Sequence, residues 1–571
     1  MITLDDSVTR LLLLVVVALP LVGAATALLP APPGLKGRSP EQAVLRHGVV
    51  VTGVVLAAAL LLAASFDRDD PARMRATTDL EWIPALGVRL HLGVDGISLP
   101  LVVLTALLGF LCALHAYRRP PAGPNPAALV ALLLVLLGGA LATFAALDLI
   151  LFFLAFEMVL IPMYFLIARW GGGGSGPAAR RFVVYTLVGS VLMLLGFLLL
   201  GGRAGTFDMT ELAAAQGEGL ERGVQILVVL AVGLGFAVKT PMWPLHGWLP
   251  PAHTAAPTIG SVLLAGVLLK TGTYGLVRIL LPAAPEGTAA LAPWLGAFAV
   301  TGIVYASLVC LDLVRRGADL KLLVAWSSVG HMGFVLLGIA GLTPTGINGA
   351  LFANIAHGLI TGLLFFLVGA IRERTGTTRL DELTARGAGA RLYGRAPRLG
   401  ALFAFTAMAS LGLPGLAGFW GEFLAMLAAY DPAPGLPRPA YLVFLALAGL
   451  GTLLTAAYLL MAVRRVCAGD PPPGAPAATE PAGVIAAAPA ALPRTPAGPA
   501  APEPTTADLA AAEAPGAAPV ADPDRLPELR GVELSVYAPL AALTLLLGLW
   551  PALLLGLTDP AVQALLPGVA R

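Results

Sequence analysis

Charge is scarce in this chain. Asp, Glu, Lys and Arg make up 12% of its 571 residues, about half the share of an ordinary soluble protein. Hydrophobic residues make up 58%, and the mean hydropathy is +0.86. A water-soluble enzyme is excluded on these grounds. The 35 basic and 33 acidic residues leave a net charge of +2 with no dense basic patch, which excludes a nucleic-acid binder. Cysteine is also rare. Cys112, Cys310 and Cys467 are far apart and form no CxxC pair, so the chain has no thiolate set for an iron–sulfur cluster or structural zinc, and no disulfide scaffold. The glycine run GGGGSG at 171–176 follows an apolar helix and lacks the strand–turn–helix setting of a phosphate loop. It reads as a connector.

Long apolar runs are what the chain has in abundance. A bilayer-crossing helix needs about 20 such residues. Runs of this kind lie near 11–29, 49–65, 97–116, 127–147, 149–168, 182–201 and 224–249. Seven more lie near 258–281, 291–313, 322–342, 347–371, 399–430, 440–463 and 534–557. The expected fold is therefore an all-α integral membrane protein of about 14 spans, numbered here in chain order. The first run is too long for a signal-peptide core and reads as a retained span.

Loop charges give an orientation. Loops after odd-numbered spans hold 23 Lys and Arg residues, and the other side, termini included, holds 10. Basic residues favour the cytoplasmic side, so both termini are expected outside the cytoplasm. Residues 468–530 break the pattern, because Ala (21) and Pro (15) fill 36 of these 63 positions. This composition predicts a disordered cytoplasmic linker. The chain then divides into spans 1–3 (1–120), two sets of five spans (121–285 and 286–467), the linker (468–530) and a final span within 531–571.

The informative charges are those inside spans, where each costs at least about 2.5–3.5 kcal/mol. Glu157 lies in LILFFLAFEMVLIPMYFLIA, Lys239 in GFAVKTPMWPLHGWLPP and Lys270 in IGSVLLAGVLLKTGTYGLVR. Static ion pairs or snorkelling would be the plain readings. Snorkelling suits Arg278, near a span end, but not Lys239 or Lys270, which have apolar residues on both sides. Pro241, Pro244, Pro250 and Pro251 cannot donate backbone hydrogen bonds, so span 7 must break just after Lys239. Span 12 repeats the device in LGLPGLAGFWGEF, with Pro414 ahead of Glu422. Two broken helices in corresponding halves, each beside an ionisable residue, predict two inverted five-helix repeats of a transporter. His331 and His357 lie in the adjacent spans 10 and 11. Core histidines or haem ligands are the alternatives to a proton relay, which imidazole suits because it both accepts and donates near neutral pH. His246 and His253 flank the break in span 7, placed to admit protons from the cytoplasm.

The stretch GFAVKTPMWPLHGWLPPAHTAAPTIGSVLLAGVLLKTGTYGLVR resembles the signature of the antiporter-like membrane subunits of respiratory complex I. FFLAFEMVLIPMYFLIARWG, DLKLLVAWSSVGHMGFVLLGI, NIAHGLITGLLFFLVGAI and SLGLPGLAGFWGEFLAM extend the likeness over about residues 75–465. The family comprises L, M and N paralogues and subunits of Mrp-type antiporters. Glu422 in the span-12 GEF motif, where the other branches carry Lys, points to the M branch. The resemblance implies a non-redox, proton-translocating subunit of NADH:quinone oxidoreductase in a cell inner membrane. NADH, FMN, iron–sulfur clusters and quinone would be held by partner subunits, and L-type and N-type chains would be its neighbours. It further implies Glu157 and Lys239 as a coupling pair, Lys270, His331 and His357 as a central axis, and Glu422 as the exit-side carboxylate. One departure is Pro251, where the family has Asp. The linker at 468–530 is another, since it looks like an insertion. The alternatives are a cation/proton antiporter subunit, a membrane-bound hydrogenase subunit and a structural membrane scaffold.

Overall fold

The computed structural model describes residues 4–29, 39–384, 390–469 and 526–566. Most of the Ala/Pro-rich linker and the loop charges Lys36, Arg38, Arg386, Arg494 and Arg525 lie outside them. Among the described residues, 13 helices are long and apolar enough to cross a membrane. Span 12 is not one of them, because it is two helices of 14 residues, Pro397–Ser410 and Ala417–Tyr430. Pro414 and the positive φ of Gly412 (+77°) and Gly415 (+91°) separate these halves. Span 7 breaks where the prolines require. Its helix, Arg222–Lys239, ends on Lys239 itself, and a short helix resumes at Leu249–Ala255. Span 8, Thr258–Ala283, is wholly enclosed by the others.

The loops sort onto two faces. On one face Leu92 pairs with Ala146 and Asp148 with Asp208, joining the loops after spans 2, 4 and 6. On the other, Gly172 N–H donates to the Ala255 carbonyl (2.8 Å) and Leu320 N–H to that of Thr378 (2.7 Å), joining loops after spans 5, 7, 9 and 11. Arg119, after span 3, pairs with Glu373 and Glu533 on that same face. A chain that crosses at every span must segregate its loops in this way.

Three local features go beyond or against the sequence reading. First, the all-α membrane fold carries between spans 2 and 3 an antiparallel hairpin of β1 (Arg75–Ile83) and β2 (Val88–Val94). Gly87, at φ +65°, makes its turn. β2 reads VRLHLGV, an alternating pattern whose Val88, Leu92 and Val94 are buried. Second, the last apolar run is not one helix. Gly531–Leu549 stops at Trp550–Pro551, and a second helix, Ala552–Leu565, packs back against span 11. There Asn348 Nδ2 donates to Asp559 Oδ1 (2.7 Å) and Thr558 Oγ1 to Asn348 Oδ1 (2.7 Å). Third, Arg278 does not snorkel. It is 5% exposed and donates from Nη2 to Asp95 Oδ1 at 2.5 Å. Asp95 in turn accepts from Ile97 and Ser98 N–H at the start of span 3.

The hairpin is clamped to the helix that carries Glu157. Asp148 caps that helix by accepting from Ile150 and Leu151 N–H (2.9 Å each), and it also accepts from Arg89 N–H of β2 (3.2 Å). Alongside, His91 Nδ1–H donates to Asp208 Oδ2 at 2.6 Å. Burial alone would raise the Asp208 carboxyl, but its hydrogen bonds from His91 and Thr210 outweigh this and hold it down at about 2. Burial alone would lower His91, but its hydrogen bond and charge attraction to Asp208 outweigh this and raise it. Asp208 thus contributes stability above its unfolded value of about 4, and His91 contributes it fully below about 6.5. The clamp is tightest between these limits and loosens as pH rises through the elevated His91 value. Hydrogen exchange in 88–94, corrected for intrinsic rates, should accelerate between pH 6 and 9. In His91→Gln that acceleration should vanish.

Candidate functional site

Four of the six site residues expected from the sequence converge. Lys270 sits between two π-helical turns, Leu264–Leu268 and Leu276–Leu280. The first of these widened turns leaves the Ala265 carbonyl available. Lys270, fully buried, curls back five residues to donate to it at 2.6 Å. Its Nζ also lies 2.7 Å from His357 Nδ1 on span 11. The His357 and His331 rings are 5.8 Å apart, nearly perpendicular at 66°. His331 Nδ1 is 3.1 Å from Glu422 Oε1, and its Nε2 is 3.1 Å from Ser410 Oγ. Helices from spans 8, 11, 10 and 12 each supply one member, so the line runs across the bundle rather than along a helix.

The break in span 12 positions the end of this line. Ser410 closes the first half-helix and Glu422 lies in the second. A side chain on Gly412 would come within 3.1 Å of Glu422 Oε2, and the positive φ there also favours glycine. Gly421 lets this half-helix approach span 11, since a Cβ there would meet Ala353 Cα at 2.6 Å. His331, His357, Ser410 and Glu422 line a cavity of about 30 Å³. That is room for one or two waters among polar partners, enough to bridge the two imidazoles. His357 Nε2, on the same wall, is buried with no protein partner.

Glu157 and Lys239 are near this line but do not join it or each other directly. Glu157 Oε1 accepts from Ser190 Oγ of span 6 at 2.5 Å. Lys239 Nζ is buried without a hydrogen-bond partner and lies 4.4 Å from the centre of the Phe156 ring, a cation–π contact. Among the described residues no ion pair links the two. Between Lys239 and Lys270 the backbones of spans 7 and 8 close up at Gly272, where a Cβ would meet Thr240 Oγ1 at 2.5 Å. His246 and His253 stay outside the line as well. His246 packs against Tyr305 and Trp326, and His253 stacks on Phe365 at 4.7 Å with both ring nitrogens unpartnered. Sequence reasoning passed over Ser190, Ser410 and Phe156. A hydroxyl or ring in an apolar helix carries no signal until its neighbour is known.

These features define a multi-pass membrane protein with a transverse row of buried ionisable side chains at two helix breaks. Residues 146–454 match the family model described as NADH:quinone oxidoreductase/Mrp antiporter, TM. The chain is 36% identical over 565 residues to NADH-quinone oxidoreductase subunit M of Rhodobacter capsulatus, spanning 97% of this chain and 96% of that one. It therefore belongs to the NADH:quinone oxidoreductase/Mrp antiporter membrane family. In the structure of respiratory complex I from Thermus thermophilus with bound NADH, one chain superposes with a TM-score of 0.75 at 30% identity, over 97% and 99% of the two chains. A chain of the Mrp complex from Dietzia sp. DQ12-45-1b shares the fold, with a TM-score of 0.74 at 24% identity over 98% of each.

Proposed function

We propose that this chain is a proton-translocating membrane-arm subunit of an NADH:quinone oxidoreductase, classed with translocases rather than acting as a redox enzyme itself. The observation that carries this is the row Lys270–His357–His331–Glu422, in direct polar contact except between the two imidazoles, whose rings face each other at 5.8 Å across the small cavity, with every member able to take up and release a proton. NADH, FMN, iron–sulfur clusters and quinone belong to partner subunits in this reading. L-type and N-type chains are its neighbours in a cell inner membrane, and both termini lie outside the cytoplasm. Spans 4–8 and 9–13 are read as the two inverted repeats, with the breaks in spans 7 and 12 as corresponding elements. The sequence of the relative from Rhodobacter capsulatus and Glu422 at the GEF position favour this over a cation/proton antiporter.

The mechanism follows from Coulomb's law in a poorly solvated interior. With Glu157 close, the Lys239 ammonium is favoured. With Glu157 held on Ser190, that support weakens and the proton is released toward Lys270. The arrangement seen is the separated one: Glu157 on Ser190, Lys239 over Phe156. A neighbouring subunit that moves Glu157 by one hydrogen bond would thus pass a charge signal into the row.

The test is NADH-driven acidification of vesicles holding the assembled complex. Glu157→Gln should lower the number of protons moved per electron. Ser190→Ala should lower it less, because only the hydrogen bond that holds Glu157 in the separated position is lost, and Ser190→Thr should restore it. An unchanged ratio in Glu157→Gln would reject the mechanism.

A further inference from the structure

Spans 7 and 9 (Arg222–Lys239 and Pro285–Arg315) enclose an apolar groove of about 210 Å³ that the ionisable row does not use. Leu230, Gly233, Ala237, Met242, Leu295 and Phe298 are among its walls. Leu230 (52% exposed) and Trp294 (66%) stand at its mouth, so it opens sideways toward lipid. Toward the face that carries the loops after even-numbered spans, the groove runs into a wider, mainly apolar cavity of about 850 Å³. Leu281, Thr288 and Leu342 line both. The charged residues on the wall of the wider cavity are Arg222 and Glu286, both exposed. Among the described residues neither forms an ion pair.

We propose that the two cavities form one binding site for a zwitterionic phospholipid of the phosphatidylethanolamine class. One acyl chain fills the groove, the phosphate meets Arg222, and the ammonium meets Glu286. The combination of unpaired opposite charges selects the head group. A purely anionic lipid would face the Glu286 carboxylate, and a choline head group would bring no N–H donor to it. The site stands on its own geometry, whatever the chain transports.

The test uses the assembled complex in vesicles with a phosphatidylethanolamine bearing a photoreactive group in its acyl chain. After illumination, labelled peptides are mapped by mass spectrometry. Labelling is expected within 229–242 and 288–298, competed by unlabelled phosphatidylethanolamine but poorly by phosphatidylcholine or phosphatidylglycerol. Gly233→Leu should cut it about tenfold, the worth of one or two buried methylenes. A Cβ at Gly233 would meet only Leu280 Cδ1 at 3.6 Å and Val229 Cγ1 at 4.0 Å, so the new side chain grows into the groove without moving backbone. Glu286→Ala should abolish the preference for the ethanolamine head group. Equal competition by all three lipids, unchanged labelling in Gly233→Leu, or labelling of a neighbouring subunit in place of these segments would each overturn the proposal.

Discussion

Lys270→Met in the assembled complex is expected to slow proton transfer through this chain by about 100-fold, the low end of what a positioned proton-transfer group supplies, and so to remove this chain's share of NADH-driven proton movement. NADH oxidation by a soluble electron acceptor should be unaffected, because the proposed function places the redox groups in partner subunits. Lys270 touches both a backbone carbonyl and an imidazole, at 2.6 and 2.7 Å. Met keeps the length and apolar stem of Lys but holds no proton. A buried charge replaced by an apolar group of similar shape is tolerated by many folds, so the complex should still assemble. The check is to measure both activities on the same preparation. Loss of acceptor-linked NADH oxidation alongside proton movement would mean damage to the complex rather than to the row.

Arg278→Leu should act on stability instead. Removing the guanidinium leaves the Asp95 carboxylate, 2% exposed, without its counter-charge, a loss of about 3–5 kcal/mol for a broken buried pair. Tyr274 also loses its contact from Arg278 Nε (3.3 Å), though its own hydroxyl still donates to the Phe144 carbonyl (3.2 Å). The expected result is a marked fall in assembled complex and in its midpoint of thermal inactivation. Asp95→Asn added to Arg278→Leu should recover most of it. Asn removes the orphaned charge and keeps an oxygen for the N–H groups of Ile97 and Ser98. A single variant as stable as the parent would contradict the assignment.

Much of this was legible from residue order, for identifiable reasons. Crossing helices announce themselves because a bilayer demands long apolar runs, and the prolines after Lys239 and before Glu422 mark the breaks in spans 7 and 12. The end of the span-7 helix on Lys239 follows from Pro241 and Pro244 alone. Lys270, His331, His357 and Glu422 were conspicuous because ionisable groups are costly in such surroundings. Their order along the row was not legible, since it depends on how spans 8, 10, 11 and 12 pack. Arg278 was misjudged for a related reason: its partner, Asp95, is 183 positions away. The hairpin at 75–94 was lost against stronger apolar signals on either side. The C-terminal break was missed because LGLWPALLLGL stays apolar through Trp550 and Pro551. Glu157 and Lys239 were expected as a pair, and the structure instead gives each its own partner, Ser190 and the Phe156 ring.

The central claim is that buried side chains of this chain carry protons. It is tested most directly by the ratio of protons moved to electrons transferred in sealed vesicles, comparing the parent complex with Lys270→Met at matched rates of quinone reduction. A lower ratio in the variant is expected, because the protons routed through this chain are lost while those moved elsewhere persist. The same ratio in both would contradict the claim and leave the Lys270–His357–His331–Glu422 row as a structural feature of the bundle.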